Sequence, residues 1–388
     1  MIYSRIETDE VIRRIGSVRL DCARFKGVGS AEESFAFLHV TDPMLPYSQQ
    51  ADALFQLLKH WMMERNSSQT SVFVRFFVSD ASNQEADVAH RWQELGSKAA
   101  LSIIQQPPMD GTKVAAWVYA VSGAQLHVSG PMVAARIGDY THYWYTNKTL
   151  PMSDSLTQTG SLLEAYEQAL SAVKCNLPAH CVRTWFFVQN VDVNYHGVVV
   201  GRRENFARIG LTEKTHYIAS TGIEGRSADP KALVKMDAYA VAGLQPNQQQ
   251  YLYAPDYLNP THEYGVTFER GVKVKYGDRG HLFISGTASI NNKGEVVHVG
   301  DIRKQTERMW TNVEQLLMEG GASFNDVAQM FVYIRDVADY KVVNDLFEER
   351  FPMVPKIILL APVCRPAWLI EMECVAVVKE ENPGFAAF

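Results

Sequence analysis

The sequence predicts an α/β chain of the mixed α+β kind, built from three related units. Three observations predict it. A helix-then-strand pattern recurs three times along the 388 residues. The strand in each copy is a short, nearly continuous apolar run, which reads as a buried strand. The chain is also too long for one compact core, so two or three domains are expected.

The pattern is clearest near the C-terminus. After Thr306, the residues Met309, Val313, Leu316 and Leu317 fall at helical spacing. Gly320 and Gly321 end that helix. Val327 to Ile334 is apolar, β-branched and aromatic, and Asp336 begins a turn. In the copy 145 positions earlier, Leu162, Tyr166 and Leu170 mark a helix and Val182 to Val188 a strand, with Tyr195 on Tyr340. A further shift of 110 gives Ala51 to Asp80, where Phe76-Phe77-Val78 falls on Phe186-Phe187-Val188. A short strand is expected ahead of each helix, beginning at Phe37, Leu126 and Phe283. A helix with one apolar face needs a sheet to cover. The units are expected at residues 1–95, 96–260 (with a linker) and 261–388.

Composition narrows the function. Hydrophobic content of 47% and charged content of 21% are ordinary for a globular protein. The net charge is −6 and the basic residues are dispersed, which argues against a nucleic-acid partner. A small anionic ligand would need only a few local arginines. The charged N-terminal stretch does not read as a secretory signal, and no apolar run reaches membrane-spanning length. Cys22, Cys175, Cys181, Cys364 and Cys374 are scattered, without a CxxC pair, so a disulfide framework and a zinc site are not expected. A reducing cytoplasm fits them. His180 lies near Cys175 and Cys181, but Cys181 enters a buried strand. Gly27-Val28-Gly29 opens like a dinucleotide fingerprint but lacks the third glycine.

The third unit resembles the RidA (YjgF) family in the SGTASI turn from Ser285, the stretch from Gly294, the strand from Ala328 and the closing WLIEMECVAVV from Trp368. That family forms trimers with active sites between subunits. The resemblance therefore implies a pseudo-trimer of mixed sheets folded from one chain, and a monomer. Its imine deaminases carry an arginine two residues after a proline, where Pro355-Lys356-Ile357 has isoleucine. The whole chain resembles the chorismatase family through RIGLTEKTHYIASTGIEGR (Arg208 to Arg226), HEYGVTFERG (His262 to Gly271), SGTAS (Ser285 to Ser289) and CRPAWLIEMEC (Cys364 to Cys374). This implies a small-molecule substrate, chorismate, cleaved to pyruvate and an aromatic or dihydroaromatic acid, without cofactor or metal; the alternatives are a RidA-type enamine or imine deaminase and a non-catalytic metabolite-binding protein.

Cleavage of chorismate begins with a proton on the enol methylene carbon. Carbon is a poor base, so the acid must be positioned and desolvated. Glu371 aligns with the catalytic glutamate of the resembled families. Strand alternation puts Leu369, Glu371 and Glu373 on one face. By pattern alone that face is also the solvent side of an amphipathic strand; if both glutamates are buried, each raises the other's pKa. Cys364, seven residues before Glu371, resembles the branch that forms 3-hydroxybenzoate. Arg365, Arg208 and Arg226 are candidate forks for the substrate carboxylates. Tyr217 is a candidate hydrogen-bond donor to the substrate. Thr221-Gly222 reads as a turn whose N–H groups approach an anion. Tyr264 and Phe268 are candidate pocket walls, and Ala288 is a candidate shaping residue in the SGTAS turn.

Overall fold

The computed structural model describes residues 17–27, 30–65 and 69–388, with the side chains of residues 64, 65 and 264 outside that description. Val28, Gly29 and the charged N-terminal stretch also lie outside it. Three mixed sheets account for the described strands. The first holds β1 (Val18–Lys26), β2 (Glu32–Val40), β3 (Gln69–Val78), β4 (Ala100–Gln105) and β5 (Val114–Ser122), with helices α1 (Tyr47–Arg65) and α2 (Ala81–Leu95). The second holds β6 (Gln125–Ser129), β7 (Met132–Ile137), β8 (Tyr140–Thr149), β9 (Cys181–Val188), β10 (Ala219–Glu224) and β11 (Val234–Ala242). Its helices are α3 (Ser155–Ala172), the short α4 (Leu177–His180) and α5 (Val191–Arg208). The third holds β12 (Gln249–Leu252), β13 (Gly271–Lys275), β14 (Arg279–Ala288), β15 (Val327–Ile334), β16 (Lys356–Leu360) and β17 (Ile370–Lys379), with α6 (Ile302–Glu319) and α7 (Tyr340–Arg350).

One topology recurs. The strand orders are β1-β2-β5-β3-β4, β10-β9-β11-β8-β7-β6 and β12-β13-β14-β17-β15-β16. In each sheet the last strand of the unit enters between the strand before the first long helix and the strand after it. In each, the strand after the second long helix pairs parallel at one edge. The repeat read from helix and strand spacing is thus present, with additions. A second helix follows the expected strand in every unit. In the middle unit the strand ahead of α3 is β8, not the segment at Leu126. That segment is β6, half of a hairpin that turns at Gly130, whose φ of 57° suits glycine; β6 holds the edge that β12 holds in the third sheet. Strand membership carries the first sheet to Ser122, past the boundary expected at 95. The third sheet begins at Gln249, before the boundary expected at 260.

Each sheet covers its helices with one face and meets the other two sheets with the opposite face. This explains strands such as β9, CVRTWFFV, in which every residue is buried. Aromatic rings fill the junction: Phe331 of the third unit lies 5.3 Å from Phe37 and 5.6 Å from Trp117 of the first. Charge is also buried there in a cyclic pattern. Arg75 of the first sheet pairs with Asp237 of the second at 2.8 Å, Arg183 of the second with Glu373 of the third at 2.8 Å, and Arg279 of the third with Glu33 of the first at 2.5 Å. All six side chains are almost wholly enclosed. A buried charge without its partner costs several kcal/mol, so each pair penalises a misplaced unit. No helix of the described residues is long and apolar enough to cross a membrane.

Candidate active site

A cavity of about 460 Å³ opens between the second and third units. One wall is α5 with β10; the other is β14 with the segment from Cys364 to Glu371. The two walls are joined directly. Ile223 bridges Val363, and the Ser285 hydroxyl accepts from the Ser220 N–H at 3.0 Å. The Glu224 carboxylate accepts from the N–H groups of Asn190 and Val191, at 2.9 and 2.6 Å, which fixes the start of α5 beside β10.

Glu371 enters this cavity from β17, where it pairs with Ala288 on β14 and Tyr333 on β15. It is only 5% exposed, so this strand face is interior, not the solvent side. Gly286 makes room for it: a Cβ at that position would overlap the Glu371 carboxyl. Glu373, two residues on, is held differently. Its carboxylate accepts from Arg183 at 2.8 Å, from the Trp185 indole at 2.7 Å and from the Thr221 hydroxyl. Burial, then the Glu373 charge, pushes the Glu371 pKa up to about 8, against the weaker opposing pull of Arg183 and Arg270. The side chain is therefore a protonated acid at neutral pH.

Four arginines line the cavity: Arg202, Arg203, Arg270 and Arg365. Arg202 is buried and reaches Thr267 and Ser220, both at 3.3 Å. Arg270 donates to Asn259, and Arg365 lies over the Trp368 ring at 5.1 Å. The cavity face of α5 carries Asp192, Tyr195, Val199, Arg202 and Arg203, which follow helical spacing. The sequence pattern marks no helix after the strand Val182 to Val188, and Arg202 is not among the residues expected from it. The apolar residues of α5 are spread around the helix without one apolar face, which hid it, although the spacing of Tyr195, Val199 and Arg202 was legible. Arg183 and Arg270 were missed as well, because each sits in an otherwise buried segment.

The expected residues divide. Cys364, Arg365, Thr221, Gly222, Ala288 and Phe268 line the cavity with Glu371. Arg208 does not. It ends α5, is 51% exposed, and pairs with Glu167 at 2.7 Å. Arg226 is half-buried and bridges Gln105 through its backbone, away from the cavity lining. Tyr217 is buried on the helix side of the second sheet near Phe206, and its N–H donates to Glu269 at 2.6 Å. Tyr264 closes a short 3-10 turn, Thr261–Tyr264, and the next residue, Gly265, lines the cavity. Thr221 and Gly222 form no turn: both are in β10, in register with Trp185 and Phe186. The Thr221 hydroxyl accepts from Arg183 at 2.5 Å and from the Gly286 N–H at 2.9 Å, and the Tyr195 ring fills the space a side chain at Gly222 would need.

The Cys364 thiol hydrogen-bonds with Tyr195, and burial followed by the Glu371 carboxylate pushes its pKa up to about 12. It is a neutral thiol, not a thiolate nucleophile. Ile357 lies elsewhere, on β16, in register with Phe331 and beside a second cavity. Counted along the repeat, Gly222 of β10 holds the matching position in the Glu371 cavity.

Residues 268–378 match the family model described as Endoribonuclease L-PSP. A RutC family protein of Pyrococcus abyssi is 37% identical over 106 residues, which are 26% of this chain and 81% of that protein. The 3-aminoacrylate deaminase RutC of Acinetobacter baylyi is 31% identical over 97 residues, 24% of this chain and 77% of that protein. A solved chorismatase aligns with a TM-score of 0.62 and 20% identity, over 79% of this chain and 93% of that one. The shared architecture is therefore that of the solved chorismatase, three sheets in one chain. The matched segment carries β14, β17 and Glu371, and through that third unit the chain belongs to the RutC family.

Proposed function

We propose that this protein cleaves chorismate, with Glu371 as the acid. The observation that carries the reading is a buried carboxylic acid, kept protonated near neutrality, facing a cavity lined by four arginines. Chorismate has two carboxylates, and guanidinium forks suit them. Arg202, Arg270 and Arg365 hold them, with Arg203 at the rim. Glu371 donates its proton to the enol methylene carbon. The ether oxygen becomes a leaving group, and pyruvate departs as the ring carbon–oxygen bond breaks. The neighbouring ring hydroxyl supplies the new carbon–oxygen bond, and its proton returns to the Glu371 carboxylate. The product isomer then loses a ring proton and gains one on oxygen, becoming 3-hydroxybenzoate. No water is consumed. If water traps the cation instead, the products are pyruvate and a dihydroxycyclohexadiene carboxylate.

The 3-hydroxybenzoate branch is favoured by Cys364, whose neutral thiol sits with Tyr195 beside Glu371. These groups enclose the reacting end and limit water. Deamination is disfavoured, because Gly222 offers no side chain to hold a carboxylate where that chemistry needs an arginine. The three units make a built-in trimer, so a monomer is the proposed state.

The test is incubation of purified protein with chorismate and chromatography of the products. Pyruvate with 3-hydroxybenzoate supports the whole reading. Pyruvate with the diol acid retains the class and removes the branch. Absence of pyruvate sinks the proposal.

A further inference from the structure

A second cavity, of about 390 Å³, lies between the first and third units. The repeat makes it the counterpart of the Glu371 cavity. Tyr195, Val199 and Arg203 of α5 correspond to Tyr340, Asn344 and Glu348 of α7, at the same offset of 145 that relates the two sequences. Thr221 and Gly222 correspond to Lys356 and Ile357 by their register with β9 and β15. The acid has no counterpart. Tyr333 pairs with Glu371, and the equivalent Val78 pairs with Val114. Val114 is fully buried and carries no proton to give. The cleft has kept its volume while losing the group that does chemistry.

Its lining also differs in charge. The Glu371 cavity presents Arg202, Arg203, Arg270 and Arg365 against Asp192, a surplus that suits a dianion. The second presents Arg19 and Lys356 against Asp110 and Glu348, a balance that suits a zwitterion. Lys356 already lies 2.9 Å from Glu348, whose side chain is half exposed. His39, only 6% exposed, lines the cleft with its Nε2 enclosed 3.6 Å from Asp21; Asp21 also pairs with Arg19 at 3.0 Å, and the Arg19 side chain stays 43% exposed. Burial lowers the His39 pKa, against the opposing pull of Asp21.

We propose that this second cleft is a non-catalytic binding site for a free α-amino acid. The carboxylate meets Arg19, and the ammonium meets Asp110 and Glu348. The proposal does not depend on what the Glu371 cavity does.

Isothermal titration calorimetry of the full chain against individual L-amino acids tests it, each beside its 2-oxo acid and its decarboxylated amine. One amino acid is expected to bind once per chain, with both analogues about tenfold weaker or worse. Asn344→Trp fills the cleft and should abolish that binding. Asp110→Asn, on an exposed loop, should weaken the amino acid by about tenfold and leave the 2-oxo acid unchanged. It keeps the proposal falsifiable if the tryptophan variant fails to fold. Absence of binding by every amino acid overturns the proposal. So does a 2-oxo acid that binds as tightly as its amino acid, or binding that survives in a folded Asn344→Trp protein.

Discussion

Arg183 of the second unit lies 2.8 Å from Glu373 of the third, and this pair stands immediately behind the cavity that Glu371 enters. Three donors meet Glu373, while Glu371 faces the open space. Two carboxyl groups on one strand face thus have opposite environments, and environment assigns their roles. Glu373 is the ion-pair partner of Arg183; Glu371 is the proposed acid.

Replacing Glu371 with Gln keeps the shape and removes the proton. Pyruvate release is expected to fall by at least about a hundredfold, the usual contribution of a positioned acid. Circular dichroism should show an unchanged fold. Full activity would end the assignment.

The pH dependence has a definite sign. Turnover needs the protonated acid, so kcat/KM should fall as pH rises through about 8. Stability follows the same group. Its folded pKa is raised from 4.5 to about 8, so the native state holds a proton the unfolded state has lost. That contribution is fully present below pH 4.5 and is lost as pH rises toward about 8. Glu371→Gln should flatten the loss, seen as denaturation midpoints that vary less over this window.

Arg202→Ala and Arg208→Ala separate cavity from surface. Arg202 is buried in the wall, so its loss should raise KM for chorismate by about tenfold or more, with some loss of stability. Arg208 is exposed on Glu167, and its removal should alter stability by no more than about 1 kcal/mol and leave KM unchanged. Equal effects on KM would discredit the proposed wall.

Cys364→Ala should move the product ratio toward the diol acid while pyruvate release continues. A ratio identical to the parent protein removes the reason for choosing the 3-hydroxybenzoate branch.

Arg183→Met leaves Glu373 buried without its cation. A loss of about 3–5 kcal/mol is expected in denaturant unfolding. Arg183 also holds the Glu371 pKa down, so the alkaline limb of the activity profile should shift upward in protein that still folds. A stable variant with an unmoved limb would contradict this coupling.

Much of this was legible in the order of residues. Helical spacing in α3 and α6, the glycines after α6 and the apolar runs of β9 and β15 are local properties, and the offset of 145 tied them together. Glu371 and Glu373 were legible as one face of β17. The helix α5 was not, because its polar residues face a cavity that exists only once a second unit is packed against it.

The sequence by itself determined the repeat and the strand faces, since these follow from spacing along the chain, and its resemblance to known families marked Glu371. Only the tertiary structure decided that the acid is buried, that Arg183 takes Glu373 and leaves Glu371 open, and that Arg202 rather than Arg208 reaches the cavity. Those outcomes depend on which surfaces meet across units. Contact over more than a hundred residues, as between Arg183 and Glu373, leaves no local periodicity to read.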